Sequence, residues 1–299
     1  MAQASIELDL AQGPAVAFPI MIAAMHELLA QAPRDDGRRV AVIGLPARLD
    51  YRDSSPVRPA TMPLWDGFQA AIPVEREFGC EVIVENDANL QALGESRSLA
   101  PDQSPLLTVK VGTGIGAGLI TEDGCIHRGS AGASGEMGHM TLRSAPPTQC
   151  RCGNVGCLEA VASIPALLAR YQELAGPEQP APATGRELAA LLRGNDAIAL
   201  SVLRDSATYL GEAIAHMVNI FNPARVVLSG IIVSASDELL ARVRSMVYEQ
   251  ARPLATRNLQ IALSTLDNRA GLAGAAVLGV ERLLSPGSLA AALRHPGRP

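Results

Sequence analysis

Aromatic side chains are scarce in this chain: four Phe, four Tyr and one Trp among 299 residues, or 3%. Any sizeable core must therefore be filled by Ala, Val, Leu and Ile, within a hydrophobic content of 48%. Clustered basic charge is missing as well. The formal net charge is −5, and no Lys/Arg run is interleaved with aromatics, which excludes a nucleic-acid surface built from these residues. No stretch approaches the roughly 18 uninterrupted apolar residues of a membrane span. The opening MAQASIELDL lacks the basic stretch and apolar run of a leader. Two of the five cysteines, Cys80 and Cys125, lie apart and offer no disulfide framework. These absences predict a reducing, cytoplasmic setting and no membrane partner.

With 18% charged residues, a chain of this length can bury a large core, most naturally in two domains. Apolar runs of strand length alternate with longer stretches of helical period, the pattern of an α/β protein. Residues 5–10 alternate as a strand. Residues 14–32 have helical spacing, with a kink expected at Pro19. Buried strands are expected at 39–45 and 80–84, and the proline-bearing stretch 47–65 between them as mostly loop. Residues 106–111 read as a strand that enters a glycine-rich turn and resumes at Leu119-Ile120, a β-hairpin. A helix opens near Leu158, and Pro177, Pro180 and Pro182 separate two helical stretches on the surface. A long amphipathic helix spans 197–221, and 225–228 is a further strand. The end of the segment from Ser285 onward is expected to be disordered.

His139, Cys150, Cys152 and Cys157 fall within 19 residues, the three thiols in CRCGNVGC. One imidazole and three thiolates form the ligand set of a closed tetrahedral zinc site, which makes the metal structural. The alternative is reduced thiols in a loop. Free cysteines, however, are mostly buried singly, and this loop is hydrophilic and punctuated by glycine.

Glu85-Asn86-Asp87-Ala88-Asn89 stands at the carboxyl end of the strand at 80–84, where open α/β sheets place ligand sites. Asp87 suits a hydroxyl as its acceptor, and Asn86 can both donate and accept. The alternative is that Asn86 or Asp87 caps a helix beginning near Leu90. Glu136 precedes His139 by three residues, and Glu159 follows Cys157 by two. A metal pinning that loop would hold both carboxylates facing Asp87, whereas solvated helix-end glutamates are the plainer reading. Gly112, Gly114 and Ala117 fit the spacing of a dinucleotide fingerprint, but no helix follows, so that motif is rejected. The turn Gly112-Thr113-Gly114-Ile115-Gly116 can bring backbone amides to a phosphate, or can be a plain tight turn.

Taken together, ENDAN, VGTGIGAGLI, ASGEMGHM and CRCGNVGCLEA resemble the signature stretches of the ROK family of sugar kinases and sugar-responsive repressors. The resemblance runs from about residue 6 to about 284. It implies the actin-like, ribonuclease-H-like two-domain α/β fold, with residues 1–88 plus about 270–299 forming the smaller domain and 89–269 the larger. It implies a hexose or N-acetylhexosamine bound between domains by Asn86, Asp87, Glu136, His139 and Glu159. Gly112, Thr113, Gly114 and Gly116 would serve as the phosphate-binding turn. Asp87 is the general base if the chain is a kinase using ATP and Mg²⁺; zinc is structural either way. The resemblance also implies a dimer or tetramer.

Three departures from the family pattern bear on function. The Asp-x-Gly-[Gly/Ala]-Thr hairpin expected before residue 5 is not in the sequence. Ser229-Gly230-Ile231-Ile232 stands where a glycine cluster lies near the nucleotide, and Ala47 replaces the usual glycine after Gly44-Leu45-Pro46. An intact sugar side with a damaged ATP side resembles the repressor branch. The expectation is a sensing domain, N-terminally truncated, that reaches DNA only through a winged helix outside this chain. The alternatives are a sugar kinase and a ROK-fold remnant that only oligomerises.

Overall fold

The computed structural model describes residues 2–31, 37–100 and 103–294. Helix α1 (Pro14–Ala30) starts on a proline, the residue pre-set for a first helical turn. It is followed by strand β1 (Val40–Leu45), the two-residue strands β2 (Leu49–Asp50) and β3 (Ser55–Pro56), helix α2 (Ala71–Phe78), strand β4 (Glu81–Asn86) and helix α3 (Asp87–Ser98). Strands β1 and β4 pair in parallel, from Val40 opposite Glu81 to Leu45 opposite Asn86. Their core holds Phe18, Ile43, Leu45, Leu49, Met62, Trp65, Val74 and Val84. Three of the few aromatics meet there. Phe18, Trp65 and Phe68 have ring centroids 5.1–5.7 Å apart, and the Trp65 indole donates to Leu10 O at 2.8 Å.

The second half is built on a four-stranded sheet of order β6-β5-β7-β8. Strands β5 (Leu106–Val111) and β6 (Ile115–Ile120) form an antiparallel hairpin. Helices α4 (Leu158–Ala162), α5 (Ile164–Ala175), α6 (Gly185–Arg193) and α7 (Ala197–Phe221) precede β7 (Arg225–Ser229), which lies parallel to β5. Then follow α8 (Asp237–Gln250), α9 (Pro253–Thr256), β8 (Gln260–Leu263), α10 (Ala270–Leu283) and α11 (Pro286–Arg294). The core between this sheet and its helices is almost wholly aliphatic, with Leu107, Val109, Leu158, Leu203, Ile214, Val226 and Leu228 each at most 1% exposed.

Helices α3 and α10 cross at glycine. A Cβ on Gly94 would lie 2.0 Å from Ala270 O, and one on Gly274 would lie 1.8 Å from Leu90 O. No other residue fits either position without moving a helix. The same α3 is laced to the sheet by Gln91, which donates to the Ser229 hydroxyl, and by Glu95, which accepts from the Ser264 hydroxyl.

Several sequence-based expectations are corrected. Residues 5–9 form no strand; the chain there is largely exposed and enters a single 3-10 turn, Leu10–Gln12, capped by Asp9. Alternation alone makes no strand where no neighbour supplies the ladder, and none is present among the described residues. The helix expected near Leu90 starts three residues earlier, at Asp87. Helix α1 is continuous through Pro19, which lies on its exposed side. Residues 47–65 are mostly loop, as expected, with the short β2–β3 hairpin added. The expected disorder at the extreme C-terminus falls on residues 295–299, outside the described residues.

Candidate functional site

The carboxyl end of β4 and the start of α3 form one wall of a cavity of 830 Å³. Asn86 is the helix cap: its Oδ1 accepts from the amides of Ala88 and Asn89 at 2.9 and 3.1 Å. Its Nδ2 donates to Ala47 O at 3.0 Å, so the side chain lines the cavity with its polar atoms already engaged. Asp87, in the first helical turn, projects a half-buried carboxylate. That carboxylate is not free of charge partners, because Lys110 Nζ of β5 donates to Asp87 Oδ2 at 2.8 Å.

The opposite wall is the glycine turn between β5 and β6 with Glu136 and Glu159 beside it. Glu159, in the first turn of α4, accepts from the Ile115 amide at 2.9 Å. The Gly112 amide is used within the turn, donating to Gly114 O at 2.9 Å. The amides of Thr113 and Gly114 are left without a partner among the described residues. The antiparallel strand after the turn supplies the reason no dinucleotide fingerprint forms: a helix N-terminus is missing. Glu136 Oε2 lies 3.2 Å from Arg48 Nε on the facing wall and 3.8 Å from His139 Nε2.

The ligand atoms of His139, Cys150, Cys152 and Cys157 all fall within 4.8 Å of one another. His139 Nδ1 is 3.7 Å from Cys150 Sγ, and the Cys152 and Cys157 sulfurs are 3.7 Å apart. Zn–S bonds of about 2.3 Å set a tetrahedral edge of about 3.8 Å, so the four side chains fit that metal. Short backbone bridges, Thr141 with Cys157 and Gln149 with Val155, hold the loop in shape. Burial pushes the Cys157 thiol up to about 12 and raises that of Cys150. A metal binding here must therefore displace protons. The imidazole turns Nδ1 to Cys150 and Nε2 toward Glu136, whose carboxylate lies 3.8 Å away, too far for a hydrogen bond, and faces the cavity.

Sequence reasoning missed Lys110, Arg48 and a buried network behind the site. Glu85 is 1% exposed and accepts from the Tyr51 hydroxyl, from its neighbour's amide Asn86 N at 2.8 Å and from Asn89 Nδ2 at 2.9 Å. Arg128 donates to its other oxygen through Nε and Nη2 at 2.8 and 2.6 Å. Burial, then the bond to Glu85, holds the Tyr51 hydroxyl well above its ordinary pKa. The network clamps the segment after β6 onto the β2–β3 hairpin. Gly132, at φ +78, completes the clamp, since a Cβ there would lie 2.5 Å from the Tyr51 ring. Lys110 had a visible signal: it is the one charged residue in the apolar strand LLTVKV. Arg48 and Arg128 had none.

Residues 11–282 match the ROK family model. A glucokinase from Halalkalibacterium halodurans is 34% identical over 70% of this chain and 67% of its own length. A putative xylose repressor from a Caldicellulosiruptor species is 34% identical over 81% of this chain and 63% of its own. Among solved structures, a ROK family transcriptional regulator homologous to the E. coli MLC protein superposes with a TM-score of 0.76 at 25% identity. That match covers 93% of this chain and 69% of the other. The chain spans about two thirds of the length of these relatives. Among the described residues, no helix is long and apolar enough to cross a membrane.

Proposed function

This chain belongs to the ROK family, and from that premise we propose that it is the sugar-sensing effector domain of a transcriptional regulator, taking a hexose or N-acetylhexosamine. The observation that carries the reading is the convergence of Asp87, Glu136, His139 and Glu159 on one cavity. Carboxylates held in place by protein donors are good acceptors for the hydroxyls of a polyol. The cavity lies between the part built on β1 and β4 and the part built on the β6-β5-β7-β8 sheet. We read residues 1–88 with about 270–299, and residues 89–269, as the two domains that flank it. Arg48 and Glu136 reach across it, so a sugar hydroxyl that takes Glu136 competes with an ion pair joining the two walls. Sugar binding is thereby coupled to the relative position of the walls, which is what a sensor needs.

Zinc, when bound by His139, Cys150, Cys152 and Cys157, supplies rigidity and no reactive chemistry, because its four positions are filled by protein. Contact with DNA, and assembly into a dimer or tetramer, belong to the same proposal.

A kinase reading stands second, favoured by the presence of Asp87 and the glycine turn in a single cavity. It would have Asp87 take the proton of the attacking hydroxyl. The Ile115 amide, one of the donors such a turn would offer to a phosphate, is already bonded to Glu159. The cavity lining also stops short of Gly230, Ile231 and Ile232. The test is thermal melting with D-glucose, D-xylose, N-acetylglucosamine and N-acetylmannosamine, followed by ADP release with ATP and Mg²⁺. A saturable rise in melting temperature with at least one sugar, without ADP, is expected. Turnover of about one per second that vanishes in Asp87→Asn would establish the kinase instead.

A further inference from the structure

Lys110 makes one polar side-chain contact among the described residues, the ion pair with Asp87. It is the single exposed position of β5, whose other five residues are buried. Its stem adds nothing to the core, and a β-branched residue would suit the strand better. Its cross-strand neighbours, Gly116 on β6 and Ser229 on β7, are small and leave the four-carbon stem a path toward α3. The ammonium arrives 2.8 Å from Asp87 at the N-terminal turn of α3. A carboxylate is favoured at that end of a helix and a cation is not. Asp87 is thus at home there on its own account, while Lys110 stands against the field of the helix. Both side chains line the cavity and keep part of their surface exposed, 47% for Lys110 and 30% for Asp87. The pair therefore offers a ligand one acceptor and one donor side by side.

We infer that Lys110 is a specificity-determining residue of the site, reading two adjacent hydroxyls together with Asp87. Asp87 accepts from one hydroxyl, and the Lys110 ammonium donates to the oxygen of the next. No proton is transferred in this arrangement. The inference rests on the sugar-binding reading above and adds the chemistry of the ligand: two adjacent oxygens, of which the one facing Asp87 is a free hydroxyl. An ether at the oxygen facing Asp87, or a missing oxygen at either position, leaves one member of a half-buried charged pair without its ligand contact, which is how polar sites reject close analogues.

The experiment is a calorimetric titration of the wild type, Lys110→Met and Lys110→Arg with whichever of the four sugars above raises the wild-type melting temperature, and with its monodeoxy derivatives. Met keeps the stem and removes the charge, and melting curves verify that each variant is folded. In the wild type, loss of either of two adjacent hydroxyls should weaken binding about tenfold or more. In Lys110→Met the parent sugar should bind about tenfold more weakly, and one of those two deoxygenations should cease to matter. Lys110→Arg should restore both effects in part. Unchanged affinity in Lys110→Met, or a uniform loss across all derivatives, would overturn the inference, the latter showing that Lys110 acts only by holding Asp87. If no sugar binds the wild type, it is the sugar-binding reading itself that fails, before any variant is compared.

Discussion

Two polar clusters hold the segment between β6 and α4, and they differ in every respect that governs legibility. The His139, Cys150, Cys152, Cys157 cluster is assembled from side chains at most 18 positions apart, around a loop with its own backbone bridges. The Tyr51, Glu85, Asn89, Arg128 network joins residues 34 and 43 positions apart around one buried carboxylate. The first is a donor set whose chemistry is fixed by residue type and spacing. The second consists of ordinary surface residue types and becomes a network only once β4, the β2–β3 hairpin and the segment after β6 are packed together. Glu136 lies in the chain between them, eight residues after Arg128 and three before His139. The two clusters share no residue, so each can be broken separately.

Breaking the metal cluster should have the largest effect. Structural zinc sites contribute on the order of 10 kcal/mol in small metal-dependent peptides, and less of this is felt by a large domain. Cys152→Ser should therefore abolish stoichiometric zinc, lower the melting temperature and weaken sugar binding along with it. Metal analysis of wild-type protein purified without chelator should return close to one equivalent, and less than half an equivalent would refute the assignment. Because the buried Cys157 thiol is raised to about 12, metal retention should also fall as the solution is acidified, as protons compete for the sulfurs.

Breaking the Glu85 network should cost less. In Arg128→Met the 1% exposed Glu85 loses its cation; breaking a fully buried pair costs about 3–5 kcal/mol, and because Arg128 is 36% exposed and Glu85 keeps three other donors the loss should be smaller than that. The double variant Glu85→Gln/Arg128→Met should recover part of that loss, since no charge is then left unpaired. Chemical denaturation of the three proteins measures the difference. Zinc content should stay at one equivalent in both variants, and its loss would show that the two clusters are not independent.

The smallest effect concerns Glu95, the second buried carboxylate, which stands on α3 outside both clusters. Burial raises its pKa, and the Ser264 hydroxyl offsets this only in part. The folded state therefore holds the proton more tightly than the unfolded chain. The stability this contributes is present below the ordinary carboxyl value and is lost as pH rises through the raised one. Glu95→Gln should accordingly increase the melting temperature at pH 8 and leave it nearly unchanged at pH 4. A decrease at pH 8 would mean that the ionised form is the one the fold stabilises.

Much of the architecture was legible because it is written in local periodicity. The helix at 197–221 and the β5–β6 hairpin were both expected from the sequence and are present. The alternation at residues 5–10 was equally clear and produced no strand, because a ladder needs a partner and periodicity does not supply one. At the candidate site, residue type and spacing were enough to single out the four possible metal ligands, the carboxylates of Asp87, Glu136 and Glu159, and the glycine turn, and the fold brings the carboxylates and the turn to one cavity. Which cation meets which carboxylate emerged from packing alone: Lys110 with Asp87, Arg48 with Glu136, Arg128 with Glu85. Charge pairing acts over a few ångströms, and the chain positions that come that close are set by how the two sheets and the α3–α10 crossing are packed, not by their order along the sequence.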